Sequence, residues 1–270
     1  MTKKIILVTG ATDGIGLETS KRLASLGHHI LLHGRSIQKS ESVLQSLTGE
    51  FKHAQLESFV ADLSQMVEVE ELARAVIAKH SKLDVLINNA GVFMTPNPVT
   101  AKGLDLRFVV NTIAPYLLTK RLLPIMGPDG RVINLSSAAQ SSVDPRALAG
   151  QSRLPDGEAY AQSKLAITMW TRKLSDSLGS EGPSMIAVNP GSFLGSKMVK
   201  EAYGRAGKDL SIGADILTRA ALSDEFATAR GKYFDNDSGR FASPHPDVFD
   251  GDKCQEVIET IEALLAGEIS

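Results

Sequence analysis

Short apolar runs alternate with longer amphipathic stretches along most of the 270-residue chain. Uninterrupted apolar runs are typical of strands buried on both faces of a sheet, and apolar positions three or four residues apart are typical of helices packed on it. The runs predict strands at residues 5–9, 29–33, 58–61, 85–88, 132–135, 185–189 and 232–234. The amphipathic stretches predict helices at residues 15–26, 37–47, 66–79, 104–124, 158–178, 212–222 and 254–265.

This alternation predicts the fold class. Strands that alternate with helices build βαβ units, and successive units give a parallel sheet with helices on both faces. We therefore expect an α/β fold, a doubly wound Rossmann sheet of about seven strands, in a single domain over residues 1–270. Irregular segments at residues 138–157 and 191–211 follow predicted strands at the edge where such sheets bind ligands, so we expect them to be substrate loops.

Composition and charge narrow the classes of partner. A net charge of -2 and a pI near 6.3 give no bulk reason to expect nucleic acid. The first apolar run is too short for a signal peptide, and no apolar stretch has the length of a membrane-spanning helix. We expect a cytoplasmic protein with no integral membrane segment. The subunit count stays open, with a homo-oligomer among the options.

Metal binding is not expected. The single cysteine, Cys254, excludes a zinc cluster built on thiolates. Three histidines lie near the second predicted strand, but His28 and His29 point to opposite sides of an extended chain. The cluster of His28, His29 and His33 therefore predicts no metal site.

The most informative motif follows the first strand and reads Thr-Gly-Ala-Thr-Asp-Gly-Ile-Gly over residues 9–16. Glycines let the backbone approach a pyrophosphate, and the N–H groups at the start of the next helix face the anion. The spacing is G-x-x-x-G-x-G rather than the usual G-x-G-x-x-G, and a purely structural turn is the alternative. The residues of this turn predicted to bind a dinucleotide are Gly10, Thr12, Asp13, Gly14, Ile15 and Gly16.

The end of the second strand indicates which dinucleotide binds. An NAD(H) site needs an acid there to bond the ribose hydroxyls, and Gly34 stands in its place. Arg35 can meet a 2′-phosphate with two hydrogen bonds, although a solvated charge is the alternative. The sequence therefore favours NADP(H) over NAD(H), and Asp13 is the one feature that would weaken this preference.

Polar residues further along the chain suit proton transfer. Tyr160 and Lys164 share one helix face, and an ammonium near a phenol lowers the phenol pKa towards neutrality. Ser137 follows a strand, where a hydroxyl can donate to a substrate oxygen. Asn111 lies four residues before Pro115, which has no N–H, so the Asn111 carbonyl can hold a water instead. Each feature alone also occurs for structural reasons.

Taken together, the motifs at residues 9–16, 88–91, 136–164 and 189–191 resemble those of the short-chain dehydrogenase/reductase family. The resemblance implies that Tyr160 transfers the proton to or from the substrate oxygen. It further implies that Lys164 binds the nicotinamide ribose and lowers the pKa of Tyr160. By the same resemblance Ser137 orients the substrate oxygen, and the main-chain carbonyl of Asn111 holds a relay water.

The resemblance also implies cofactor contacts outside the glycine turn. Asp62 matches the acid that bonds the adenine amine, with a helix cap as the alternative. The family often has a threonine after the Pro-Gly pair that contacts the carboxamide, and here Ser192 or Ser196 would take its place. The other implied cofactor contacts are Leu63, Asn88, Ala90, Gly91, Tyr160, Lys164, Pro190 and Gly191.

Within the family, the polar insertion at residues 138–157 and the motifs at 111–114 and 231–234 resemble retinol-dehydrogenase-like and protochlorophyllide-reductase-like members. We therefore expect an NADP(H)-dependent oxidoreductase that interconverts a carbonyl and an alcohol on a small molecule. Its alternatives are a C=C reductase and a non-catalytic NADP(H)-sensing regulator. Apolar loop residues favour an apolar substrate, or else pack on the core: Phe93, Met94, Phe193, Leu194, Met198 and Tyr203.

Overall fold

The described residues of this computed structural model, 2–195 and 207–268, build one sheet from eight strands. The strands are β1 Ile5–Val8, β2 His29–Gly34, β3 Gln55–Val60, β4 Val85–Asn88, β5 Arg131–Leu135, β6 Ser184–Asn189, β7 Tyr233–Asp235 and β8 Arg240–Ala242. Their order is β3-β2-β1-β4-β5-β6-β7-β8, and only the β7–β8 pair is antiparallel. This confirms the doubly wound parallel sheet, with one strand more than the sequence predicts.

Helices cover both faces of the sheet. They are α1 Gly14–Ser25, α2 Ile37–Glu50, α3 Met66–Lys79, α4 Leu106–Phe108, α5 Ala114–Leu122, α6 Pro145–Leu148, α7 Asp156–Leu178, α8 Leu210–Leu222 and α9 Gly251–Glu268. Leu7 of β1 joins a core with α3, α5, α7 and α9, whereas Ile6 and Val8 join a second core with α1, α2 and α8. Burial on both faces explains the apolar strands. Of the helices described, none is long and apolar enough to cross a membrane.

The two edges of the sheet differ most from the prediction. β3 begins at Gln55, three residues earlier than expected, and β8 is not predicted at all. Both strands lie at an edge of the sheet. Edge strands carry charged and polar side chains, such as Glu57 and Arg240, so they lack the apolar pattern of the central strands.

The helix predicted at residues 104–124 contains a π-turn. α4 continues into a π-helix at Val109–Ile113 and then into α5, and the N–H of Ala114 donates to the carbonyl of Val109. Pro115, in the first turn of α5, has no N–H to continue the α-helical ladder. π-turns are frequent at functional sites, and this one contains Asn111.

Candidate active site

A cleft of about 700 Å³ lies at the carboxyl ends of the parallel strands β1 to β6. Its lining contains most of the site residues predicted from the sequence. These are Gly10, Thr12, Asp13, Gly14, Ile15, Arg35, Asp62, Leu63, Ala90, Gly91, Tyr160, Lys164 and Pro190. The lining does not include six further predicted residues, Gly16, Asn88, Asn111, Ser137, Gly191 and Ser192.

The glycine turn after β1 has the conformation that a phosphate cradle needs. Gly10 and Gly14 have positive φ values of 66° and 53°, where a side chain would be strained. A Cβ on Gly16 would lie 2.3 Å from the carbonyl oxygen of Gly10, so this glycine lets α1 pack against the turn. The carboxylate of Asp13 accepts the N–H of Gly14 at 2.8 Å and caps α1. The cradle and helix terminus fit a dinucleotide pyrophosphate.

Two residues outside the predicted set hold this turn in place. The Asn89 side chain donates to the carbonyl of Thr9 at 2.8 Å. The Thr9 hydroxyl accepts the N–H groups of Asn89 and Ala90, each at 3.0 Å. The adjacent asparagines at 88 and 89 were the available signal in the sequence, but only the contacts show that Asn89 fixes the end of β4 against the cradle.

Asn88 lies buried beneath the cleft. Its side-chain N–H₂ donates to Asn134 at 2.7 Å and to Thr119 at 3.1 Å, and Asn134 donates in turn to Thr171 at 2.8 Å. These bonds tie β4 to β5, α5 and α7. The structure therefore gives Asn88 a supporting position, and its contact with a cofactor stays a prediction.

The start of α2 brings two cations to the cleft. Arg35 is exposed, and Lys39, which the sequence did not single out, lines the cleft beside it. The Lys39 ammonium donates to the Asp13 carboxylate at 2.7 Å, so the acid expected to oppose a 2′-phosphate is already neutralised. Packing also explains the glycine at position 34, because a Cβ added there would lie 2.6 Å from the Cγ2 atom of Thr12.

His33 supports the wall of the cleft at the end of β2 as a neutral ring. Burial lowers the pKa of His33 to about 4. Its Nδ1 accepts the N–H of Gly10 at 3.3 Å, and its Nε2 donates to the carbonyl of Ala61 at 3.0 Å. Next to Ala61, the carboxylate of Asp62 accepts the N–H of Ser64 at 2.9 Å while lining the cleft. Asp62 therefore faces the cleft and closes a local turn, but it does not cap α3, which begins after Gln65 without a side-chain cap.

Lys164 and Tyr160 lie together at the base of the cleft. The Lys164 ammonium is buried, donates to the carbonyl of Leu135 at 2.8 Å, and lies 5.7 Å from the centre of the Tyr160 ring. Burial lowers the pKa of Lys164 to about 8. In the part of the chain that the structure describes, no carboxylate forms an ion pair with Lys164. The ring of Tyr160 packs against Phe93, with centroids 4.6 Å apart.

Asn111 positions the backbone around this pair. Its amide oxygen accepts the N–H of Val92 at 2.8 Å, and its N–H₂ donates to the Val92 carbonyl at 2.9 Å and to the Ser163 hydroxyl at 3.0 Å. A Cβ on Gly91 would lie 3.3 Å from the Asn111 oxygen and 3.6 Å from the Lys164 ammonium. The side chain of Asn111 therefore joins the exit of β4 to α7, and its relay water stays a prediction.

The two serines after β5 have different partners. Ser136 bonds the carbonyl of Lys164 at 3.0 Å and the hydroxyl of Thr168 at 2.7 Å. The hydroxyl of Ser137, which is half-buried, accepts the N–H of Ala139 at 3.1 Å and keeps its own proton for donation. Tyr233 donates to the Ser137 carbonyl at 3.1 Å, so β7 also supports this segment.

After β6, Ser192 is held by an acid. The carboxylate of Asp237 accepts both the N–H and the hydroxyl of Ser192, at 2.9 Å and 2.5 Å. Gly191 has a φ of 121°. Leu194 is buried and packs on the core, whereas Phe193 is exposed, and its contact with a substrate stays a prediction. Ser196, Met198 and Tyr203 lie outside the described residues.

Comparisons with known proteins agree with this arrangement. The family model for short chain dehydrogenases matches residues 4–206. Retinol dehydrogenase 12 of Mus musculus is 34% identical over 244 residues, which cover 86% of this chain and 77% of the relative.

Solved structures extend the likeness to the fold. A putative uncharacterized protein from Mycobacterium paratuberculosis, at 24% identity, has a TM-score of 0.80 over 97% of this chain and 93% of its own. A putative short chain dehydrogenase from Escherichia coli CFT073, complexed with NADPH, has 25% identity and a TM-score of 0.71. The match covers 87% of this chain and 97% of that one.

Proposed function

Because the chain belongs to the short-chain dehydrogenase family, in its retinol-dehydrogenase-like branch, we propose that it interconverts a carbonyl and an alcohol with NADP(H). The observation that carries this proposal is the buried ammonium of Lys164, which lacks a carboxylate partner among the described residues and lies beside Tyr160. A positive charge placed there stabilises a phenolate at the wall of the cleft.

In this proposal the protein's own residues handle the proton. Tyr160 gives its hydroxyl proton to the carbonyl oxygen during reduction and takes it back during oxidation. The ammonium of Lys164 stabilises the phenolate that reduction leaves behind. Ser137 donates a hydrogen bond to the substrate oxygen and orients it. NADP(H), when bound, supplies or accepts the hydride.

The preference for NADP(H) rests on charge at the start of α2. Arg35 and Lys39 place two cations beside the glycine turn, and Lys39 neutralises Asp13. A 2′-phosphate needs such cations, and its charge would be repelled by an unneutralised acid. The NADPH-bound relative supports this choice.

The wall of the cleft next to Tyr160 supports an apolar substrate. The side chains there, contributed by the segment after β4 and by α4 with its π-turn, are mostly hydrophobic. They are Val92, Phe93, Met94, Pro96, Leu106 and Val110. Apolar walls with few polar groups are typical of sites that bind hydrophobic small molecules. The relative named for retinol points to the same class of substrate.

An activity panel tests the proposal against its alternatives. Purified protein is mixed with NADPH and either saturated long-chain aldehydes, all-trans-retinal or cyclic enones, and the products are identified by mass spectrometry. We expect aldehydes to be reduced to alcohols with their C=C bonds intact. If the only products were saturated ketones formed from the enones, the protein would be a C=C reductase. Tight NADPH binding with no turnover on any compound would instead indicate a sensor of the cofactor.

A further inference from the structure

Three side chains that are distant in the sequence meet beside the outer strand β3, towards the start of β2 and far from the cleft. His29 begins β2, Glu57 lies in the neighbouring edge strand β3, and His80 directly follows α3. The Oε1 atom of Glu57 lies 2.8 Å from the Nε2 atom of His29 and 3.1 Å from the Nε2 atom of His80. All three potential ligand atoms lie within 4.8 Å of one another.

We propose that His29, Glu57 and His80 bind a divalent transition-metal ion, with Zn²⁺ as the best match. Two imidazole nitrogens and one carboxylate oxygen form a ligand set that zinc uses in proteins, and a water can take the fourth position. With bonds of about 2.0–2.1 Å, the ligand atoms of a tetrahedral zinc site lie roughly 3.3 Å apart. The contacts of Glu57 with the two histidines are close to that spacing.

The unsatisfied nitrogen of His80 is the second observation that points to an ion. Its side chain is only 9% exposed, and its Nε2 atom has no hydrogen-bond partner despite the carboxylate at 3.1 Å. A buried polar atom without a partner is unfavourable. An ion between His80, His29 and Glu57 would give this nitrogen a partner while keeping the carboxylate engaged.

The surroundings allow such an ion to enter and stay. The Glu57 side chain is 23% exposed, which leaves a path from solvent, whereas that of His29 is 6% exposed. Lys79 approaches the second carboxylate oxygen of Glu57 at 3.5 Å and can stay there as an outer partner of the site.

This inference departs from the expectation of no metal site, which rested on three histidines close together in the sequence. His28 and His33 are indeed engaged elsewhere: His28 accepts the N–H of Lys4 at 3.2 Å, and both ring nitrogens of His33 bond to backbone atoms. The partners of His29 come instead from β3 and from the end of α3. Only the packing of the fold brings them together.

The position of the site predicts a structural role. β2 runs from His29 to Gly34, so the ion would lie about 17 Å from the cofactor end of the same strand. It would hold β2, β3 and α3 together at the end of the sheet that lies away from the cleft. We therefore expect the ion to raise the melting temperature and to leave NADPH binding unchanged.

Zinc titration of the untagged, metal-stripped protein tests the site. We expect calorimetry to show one equivalent of ZnCl₂ bound, and CoCl₂ to give the visible absorption of tetrahedral Co²⁺. Losing a residue that only supports a metal ligand costs about 10–100-fold in affinity. His80 and Glu57 are proposed as direct ligands, so His80→Gln and Glu57→Gln should each weaken Zn²⁺ binding at least tenfold. His53→Gln is the matched control, because this exposed histidine contacts the carbonyl of Ser25 away from the site.

Three outcomes would overturn the site: no stoichiometric Zn²⁺ binding by the wild type, unchanged affinity in both site variants, or an equal loss in His53→Gln. Circular dichroism checks that the variants are folded. If His80→Gln does not fold, Glu57→Gln alone decides, since glutamine keeps the size of the side chain and can still bond to His29. NADPH binding, measured in parallel, should be the same in all four proteins.

Discussion

Two buried cations near the start of α7 have very different partners. Arg107 donates to both carboxylate oxygens of Asp105, at 2.9 and 2.7 Å, and also bonds the carboxylate of Asp156. Lys164 has the carbonyl of Leu135 at 2.8 Å and no carboxylate partner within the described ranges of the chain. One cation is fully compensated, and the other is held as an isolated charge.

The difference separates a structural charge from a functional one. Burial opposes the charge of Arg107, but its two acids outweigh this and raise the pKa of the guanidinium. Burial alone lowers the pKa of Lys164 to about 8. An uncompensated buried charge destabilises the fold, and such sites persist where function uses them. Asp156 starts α7, so Arg107 fixes the helix that carries both Tyr160 and Lys164.

The largest effect on stability is expected when the compensated cation is removed. Arg107→Met leaves the buried carboxylate of Asp105 without its partner, which should lower the free energy of unfolding by about 3–5 kcal/mol. Urea unfolding measures this. Lys21→Met is the control: its exposed pair with Glu18 should be worth about 0–1 kcal/mol. Equal losses in the two variants would show that Arg107 is no more important than a surface charge.

Removing the isolated cation, Lys164, should instead increase the free energy of unfolding at pH 7. The pKa of Lys164 falls from 10.5 to about 8 on folding, so the folded protein binds fewer protons than the unfolded chain between these pH values. Stability of the cofactor-free wild type should therefore rise as the pH increases from 8 towards 10.5. Lys164→Met should be more stable at pH 7 by about 1–3 kcal/mol, after allowing for the lost bond to Leu135, and should lack this rise.

Urea unfolding of cofactor-free wild type and Lys164→Met at pH 7 and pH 9.5 checks both parts. A variant that is less stable than the wild type at pH 7, or that keeps the same pH dependence, would mean that Lys164 is compensated after all. The same variant should lose activity, since its phenol would have no neighbouring charge.

A smaller effect is expected at the start of α2, where the same contrast recurs on the surface. Arg35 forms no ion pair in the parts of the chain described here, whereas Lys39 pairs with Asp13. Arg35→Ala should lower kcat/KM for NADPH by about 10–100-fold, the value of one charge-assisted hydrogen bond, and leave NADH unaffected. Lys39→Ala should cost less than about tenfold, through exposure of Asp13.

A double variant separates the two roles. If Lys39 acts by neutralising Asp13, Asp13→Asn should restore NADPH use in the Lys39→Ala background and should not do so in the Arg35→Ala background. An unchanged ratio of NADPH to NADH use in Arg35→Ala would return Arg35 to the solvated surface.

The sequence carries the local parts of this site well. The strand, glycine turn and helix at residues 5–25 are contiguous, and Tyr160 and Lys164 are one helical turn apart, so pattern alone predicts both. The pairings of Arg107 with Asp156 and of Lys39 with Asp13 join residues far apart in the chain. No periodicity encodes such pairs, because they depend on which elements become neighbours in the folded sheet.

The outer strand β8 could not be predicted from the sequence for a different reason. β8 consists of Arg-Phe-Ala and pairs on one side only, so its sequence shows no apolar alternation. The loop after β6 shows the limit for single apolar residues. Phe193 is 56% exposed and the adjacent Leu194 is 2% exposed, a difference that their similar hydrophobicity does not reveal.

The central claim is that Tyr160, held beside an isolated buried ammonium, transfers the proton to the substrate oxygen. The most direct test is the single-turnover rate of NADPH oxidation with the best aldehyde of the panel, for wild type and Tyr160→Phe, with NADPH affinity measured by fluorescence. Loss of a general acid typically costs about 10²–10⁴-fold, so the rate should fall by that factor while NADPH affinity stays within about twofold. A rate within a few-fold of wild type would contradict the account and remove Tyr160 from the mechanism.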